Sequence, residues 1–169
     1  MSLDLTTDCT ACVGLCCKTF QFETGPDFAI EKSAGQSCPH LGSDFSCTIH
    51  ADRVAKGFSG CLIFDCQGAG QRIVHEVYAG FDWPAAGALL PEMIDAFRVL
   101  REVHRLYELI DISGALPLSD DHAAERRDLL SQLGVQPINA SWLAEFEQSA
   151  LPQRATKYLK SLTVLVPHP

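Results

Sequence analysis

Eight cysteines lie between Cys9 and Cys66, and none occurs in the rest of the 169-residue chain. Their order is Cys9-x2-Cys12-x3-Cys16-Cys17-x20-Cys38-x8-Cys47-x13-Cys61-x4-Cys66. Thiolate sulfur is a soft ligand that selects zinc and iron–sulfur clusters, and a Cys-x2-Cys turn aims two sulfurs at a common centre. In an oxidising compartment the same even count would read as a disulfide framework. The N-terminal segment MSLDLTTDCT has neither a basic n-region nor an apolar h-region, so a cytoplasmic location is expected. In a reducing cytoplasm crowded thiols capture metal, and metal binding is therefore the expected chemistry.

Cys16-Cys17 is the most informative element. Adjacent side chains do not readily reach one tetrahedral ion. They can serve two ions or two irons of a cluster, or one can ligate while the other packs. Eight thiols equal two complete four-cysteine sets, whereas a single [4Fe–4S] cluster needs four. The candidate metal ligands are thus Cys9, Cys12, Cys16, Cys17, Cys38, Cys47, Cys61 and Cys66, with the partition between centres left open. His50, three residues after Cys47, is a further candidate, as a ligand or as a hydrogen-bond partner of a thiolate. His40, beside Cys38-Pro39, is a weaker one, and either can equally be a plain loop histidine.

These residues resemble a known family. Cys9-x2-Cys12-x3-Cys16-Cys17, Cys38, Cys47-Thr-Ile-His50-x2-Arg53 and Cys61-Leu-Ile-Phe64-Asp-Cys66 are similar to the CxxCxxCC family of zinc- or iron-chelating domains. Asp27–Lys32 and Gly60–Gln71 are closer still to the cysteine-rich leader of actinobacterial pentapeptide-repeat proteins. The pattern departs from the family in the three residues between Cys12 and Cys16, and in the seven residues between Arg53 and Cys61. No pentapeptide repeats follow. The resemblance implies an iron–sulfur cluster in redox or electron transfer as the first expectation. Zinc, in a structural or chelating module for protein interaction, is the alternative.

Composition narrows the partners. The net charge is −8, and residues 1–70 and 71–169 each carry half of it, so no basic arm is available for nucleic acid. No apolar run is long enough to cross a bilayer. The expected partners are a metal ion or cluster and a protein, with no nucleic acid and no membrane. Gly-x-Ser-x-Gly, His-Glu-x2-His and G-x-G-x-x-G motifs are absent, so any catalysis would have to run through the metal.

The elements that must hold the cysteines divide by pattern. Residues 1–72 read as a loop-rich metal domain, broken by Gly25-Pro26, Gly35, Gly42, Gly57, Gly60 and Gly68, with short strands at 19–22 and 62–64. Six phenylalanines there, Phe20, Phe22, Phe28, Phe45, Phe58 and Phe64, would form its core. Residues 73–169 read as a helical domain. Leu89, Met93, Phe97, Leu100, His104, Tyr107 and Ile110 mark one apolar face from Ala88 to Ile112. Further helices are expected from Ser119 to Gly134, over 141–149 and over 153–165, ended by glycine or proline. His104 reads as a core residue. The segment His75–Gly87, with Phe81-Asp82-Trp83-Pro84, reads as a linker docking across the boundary. The expected class is α+β, a small cysteine domain with short strands packed on a bundle of about four helices.

Overall fold

A computed structural model describes residues 2–82 and 91–166. Among the described residues every regular element is helical, and there are seven α-helices. The only extended pairings are two isolated antiparallel bridges, Phe22 with Lys32 and Leu41 with Cys47. The α+β expectation is therefore corrected to a helical fold. Thr19 closes α1 (Leu15–Thr19) instead of opening a strand, and Leu62 and Ile63 belong to the single turn of α2 (Gly60–Ile63). A three-residue apolar run suits a helical turn as well as a strand. A sheet needs successive residues to pair, and here bends or turns begin soon after each bridge.

Two compact units make up the chain: Thr6–Arg98, and Met1–Leu5 with Val99–Pro169. The first contains every cysteine and little regular structure. Gly14, left-handed at φ 63°, precedes α1, where an added Cβ would lie 2.9 Å from the Phe45 carbonyl oxygen. Gly68 does the same before α3 (Ala69–Arg72). Gly68 thus breaks the chain as its type predicts, and Ala69 and Gly70 already belong to the helix. A π-helical turn, Ile73–Val77, continues α3, so His75 lies in helix rather than in a linker. Arg72, buried, spans this junction with two hydrogen bonds to Glu76 of 2.6 and 2.8 Å. Residues 83–87 of the expected linker, and the expected helix start at 88–90, lie outside the described residues.

Aromatic packing replaces a sheet as the organiser of this unit. Cys17, Phe22, Cys38, Ile49 and Phe58 form its buried cluster, with Cys16, Phe20, Phe28, Ile30, Leu41, Cys47 and Cys61 packed against it. Phe22 and Phe28 stack at 4.4 Å, and Phe58 meets both edge-on. Each such pair contributes about 0.5–1.5 kcal/mol beyond burial. Loops without ladders are held by rings that interlock.

The second unit follows its sequence signals closely. The helix α4 (Pro91–Ile112) crosses from one unit into the other, and its Leu100, Val103, His104, Leu106 and Ile110 are fully buried. In α5 (Asp120–Leu133), Ser119 caps the N-terminus by accepting from the His122 N–H, and Gly134 follows the last turn. Asn139 caps α6 (Ala140–Gln148) by accepting from the Trp142 N–H at 2.9 Å. The last helix, α7 (Leu151–Ser161), packs on both α5 and α6. Arg126 closes the end of α4, donating to the carbonyls of Ile110 at 2.9 Å and Asp111 at 2.6 Å. No helix among the described residues is long and apolar enough to cross a membrane.

Candidate metal centre

Cysteines reach one cavity of about 460 Å³ inside the Thr6–Arg98 unit from four stretches of chain. Cys9, Cys12, Cys16, Cys17, Cys47, Cys61 and Cys66 line it, together with His50 and Arg53. Cys38 is not among the lining residues; it is buried, and its N–H donates to the Cys17 carbonyl at 2.9 Å. All eight are free thiols. Among the described residues, no three His, Cys, Asp or Glu side chains form a ready-made group for a single ion.

The first stretch is shaped by caps. The Asp8 carboxylate accepts from the Thr10 N–H at 2.8 Å and the Thr10 hydroxyl at 2.6 Å, and these bonds hold its pKa below the usual range. They wind Cys9–Ala11 into one 3-10 turn, after which Cys12 is extended. Cys16 and Cys17 are consecutive on α1, so their Cα–Cβ vectors lie about 100° apart around its axis. Both touch the cavity, yet Cys17 is a buried member of the aromatic cluster while Cys16 is only partly buried against it.

The other cysteines are tied in by polar contacts. The Cys66 sulfur lies 3.5 Å from the Thr7 hydroxyl, which also donates to Asp65 and accepts from the Gly68 N–H at 3.2 Å. Gln71 accepts from the Asp8 N–H at 2.7 Å and donates to the Thr6 carbonyl at 2.9 Å. Thus 6–8 and 65–71 form one scaffold under Cys9 and Cys66. Arg53 does the same for Cys47 and Cys61. Its guanidinium donates to the His50 carbonyl at 2.9 Å and to the Cys61 carbonyl at 3.3 Å. His50 lines the cavity, whereas the His40 ring packs edge-on against Phe58 at 5.0 Å.

Burial governs the thiol chemistry. Cys12 and Cys61 are each pushed up to about 11, first by desolvation. Neighbouring thiols add to this, Cys16 and Cys66 at Cys12, and Cys16 and Cys47 at Cys61. Cys9 and Cys38 also rise, again first by burial. Cys16 also rises well above the usual thiol range, through a hydrogen bond with the Cys17 thiol and then burial. Arg53 opposes the rise at Cys9 and Cys61. Such thiols are poor nucleophiles at neutral pH, because little thiolate forms. A bound cation is what would ionise them, by supplying the opposite charge that burial withholds. The donor set is almost all sulfur and is walled by Phe20, Phe22, Phe28, Phe45, Phe64 and Phe97. It fits a soft, thiolate-held group.

Seven of the eight cysteines and His50 line the cavity, Cys38 and His40 do not, and the contacts of Arg53 and Lys32 are not written in the cysteine spacing. Lys32 is 2% exposed although it is a lysine. Its hydrogen-bond partners, the Ser33 and Gln36 carbonyls, are near in sequence, but backbone carbonyls carry no residue-type signal.

No protein-family model and no solved structure matches the chain. Over 122 residues it is 36% identical to the "Uncharacterized protein YybG" of Bacillus subtilis (strain 168), which covers 70% of this chain and 44% of YybG. The chain therefore spans less than half the length of that curated relative.

Proposed function

We propose that this is a metal-binding protein that holds an iron–sulfur cluster through its clustered cysteines, in the manner of the CxxCxxCC domains and pentapeptide-repeat leaders it resembles. The observation that carries this is the meeting of seven thiols from separate stretches on one aromatic-walled cavity. The preference for a cluster over zinc follows the family resemblance, and seven thiols lining one cavity supply the sulfur that such a cluster needs. When bound, such a cluster supplies one-electron redox chemistry. The chain's own part is to present the sulfurs, to exclude water with the phenylalanine rings, and to offset negative charge with Arg53. Buried hydrophobic surroundings of this kind set cluster potential.

Zinc in a structural role is the second reading, supported by the number of thiols, enough for closed four-sulfur sites. Anaerobic purification followed by visible spectroscopy and elemental analysis separates the two. A brown protein with iron supports the cluster, and a colourless one with stoichiometric zinc overturns it in favour of the second reading.

A further inference from the structure

Lys32 is a buried cation without a carboxylate. It is 2% exposed, its ammonium lies 5.0 Å from the centre of the Phe22 ring, and it donates to the carbonyls of Ser33 at 3.1 Å and Gln36 at 2.8 Å. None of the ion pairs among the described residues includes it. Buried ammonium groups are costly unless an opposite charge compensates them. The backbone places it beside the cysteines. Phe22 and Lys32 exchange backbone hydrogen bonds of 2.8 and 3.0 Å, Phe22 packs in one cluster with Cys17 and Cys38, and the Cys38 N–H bonds to Cys17. Burial works against the charge of the ammonium, and the Cys38, Cys17 and Cys16 sulfurs would favour it once ionised.

We infer that Lys32 is the fixed counter-charge of the thiolate centre, a positioning residue that raises metal affinity through its ammonium without touching metal. This rests on the metal-binding reading above. Four thiolates outweigh the two positive charges of a zinc ion or an oxidised four-iron cluster, so a loaded centre is net negative. The ammonium then gains a full opposite charge in addition to its two carbonyls and the Phe22 ring. With metal absent, those neutral groups alone hold it. The inference therefore predicts opposite effects of one substitution in the two states.

The test uses the full chain with Lys32→Met, which keeps the length of the side chain and removes its charge. Cobalt(II) is the probe, because its thiolate charge-transfer bands report sulfur ligation directly. Lys32→Met should bind cobalt(II) about tenfold more weakly than the wild type, the scale of an outer-shell partner. In the metal-free protein it should slow amide exchange at Phe22 and Lys32, because a buried charge held by neutral groups alone is gone. Equal cobalt affinity in the two proteins would overturn the inference. So would faster exchange in the metal-free variant, or its failure to fold, since both mark Lys32 as packing alone. If folded wild-type protein with eight free thiols bound neither cobalt(II) nor, on anaerobic reconstitution with iron and sulfide, a cluster, the metal-binding reading itself would fail, and this inference with it. If it took only the cluster, a Lys32→Met variant that loads cluster as fully as the wild type would overturn the inference.

Discussion

Gly70 stands so close to Cys12 that a Cβ at position 70 would lie 2.6 Å from the Cys12 sulfur. An ordinary contact is 3.4–4 Å, so the sulfur would have to retreat by about 1 Å or the helix would have to shift. Gly70 is helical, and elsewhere in a helix Gly→Ala stabilises by about 1 kcal/mol. Gly70→Ala should do the reverse at the site. Metal affinity is expected to fall on the order of tenfold while far-UV circular dichroism stays as in the wild type. Unchanged affinity, measured by competition with a chelator, would show that Cys12 is not a ligand or that the helix yields freely.

Cysteines that line the cavity should behave differently from the one that does not. Cys12→Ser and Cys61→Ser are expected to lose bound metal, while Cys38→Ser keeps the stoichiometry and loses thermal stability, since Cys38 is buried and outside the lining. Metal content per chain, determined on each purified variant, distinguishes the two groups. Cys16 and Cys17 should differ from each other if one centre is present, because they occupy adjacent positions around α1. Equal and complete losses would favour two centres.

Arg53 joins two ligand-bearing segments by its bonds to the His50 and Cys61 carbonyls. Arg53→Met removes both, and hydrogen bonds from charged donors contribute roughly 1.5–3 kcal/mol each. The variant should unfold at lower denaturant concentration, with metal release preceding the loss of helix. His50→Ala, which keeps the carbonyl, should reduce metal affinity by about 10- to 100-fold if its ring orients a thiolate. Loss of a whole metal equivalent would instead make His50 a ligand, and no change would leave it a loop histidine.

How much of this was readable in the sequence follows physical range. The start at Ser119 and the leucine spacing of α5 are local signals, and that helix forms where they put it. The strands at 19–22 and 62–64 failed because apolar runs that short carry no period, and nothing in the sequence supplied partner strands. The cysteine positions are explicit, but Gly70 against Cys12, Arg53 across two loops and Lys32 over the Phe22 ring depend on folding that only long-range packing decides.

The two units should respond unequally to metal removal. Thr6–Arg98 has few backbone ladders, so a metal would supply much of its stability. The helices α5, α6 and α7 carry their own buried faces. Hydrogen exchange in the chelated protein should quicken at Cys9–Cys66 and change little across Asp120–Ser161. Equal protection of the cysteine region with and without metal would mark an ordinary aromatic core as its mainstay. Ser119→Ala should cost about 1 kcal/mol in either state, because its cap lies in the other unit.

The most direct measurement is iron and acid-labile sulfide per chain in full-length protein purified without oxygen, read beside its visible spectrum. The cluster account predicts a brown protein with broad absorption near 400 nm, roughly equal iron and sulfide, and a colour that Cys12→Ser removes. Folded protein with no bound iron or sulfide, whether it holds zinc or no metal, would contradict it.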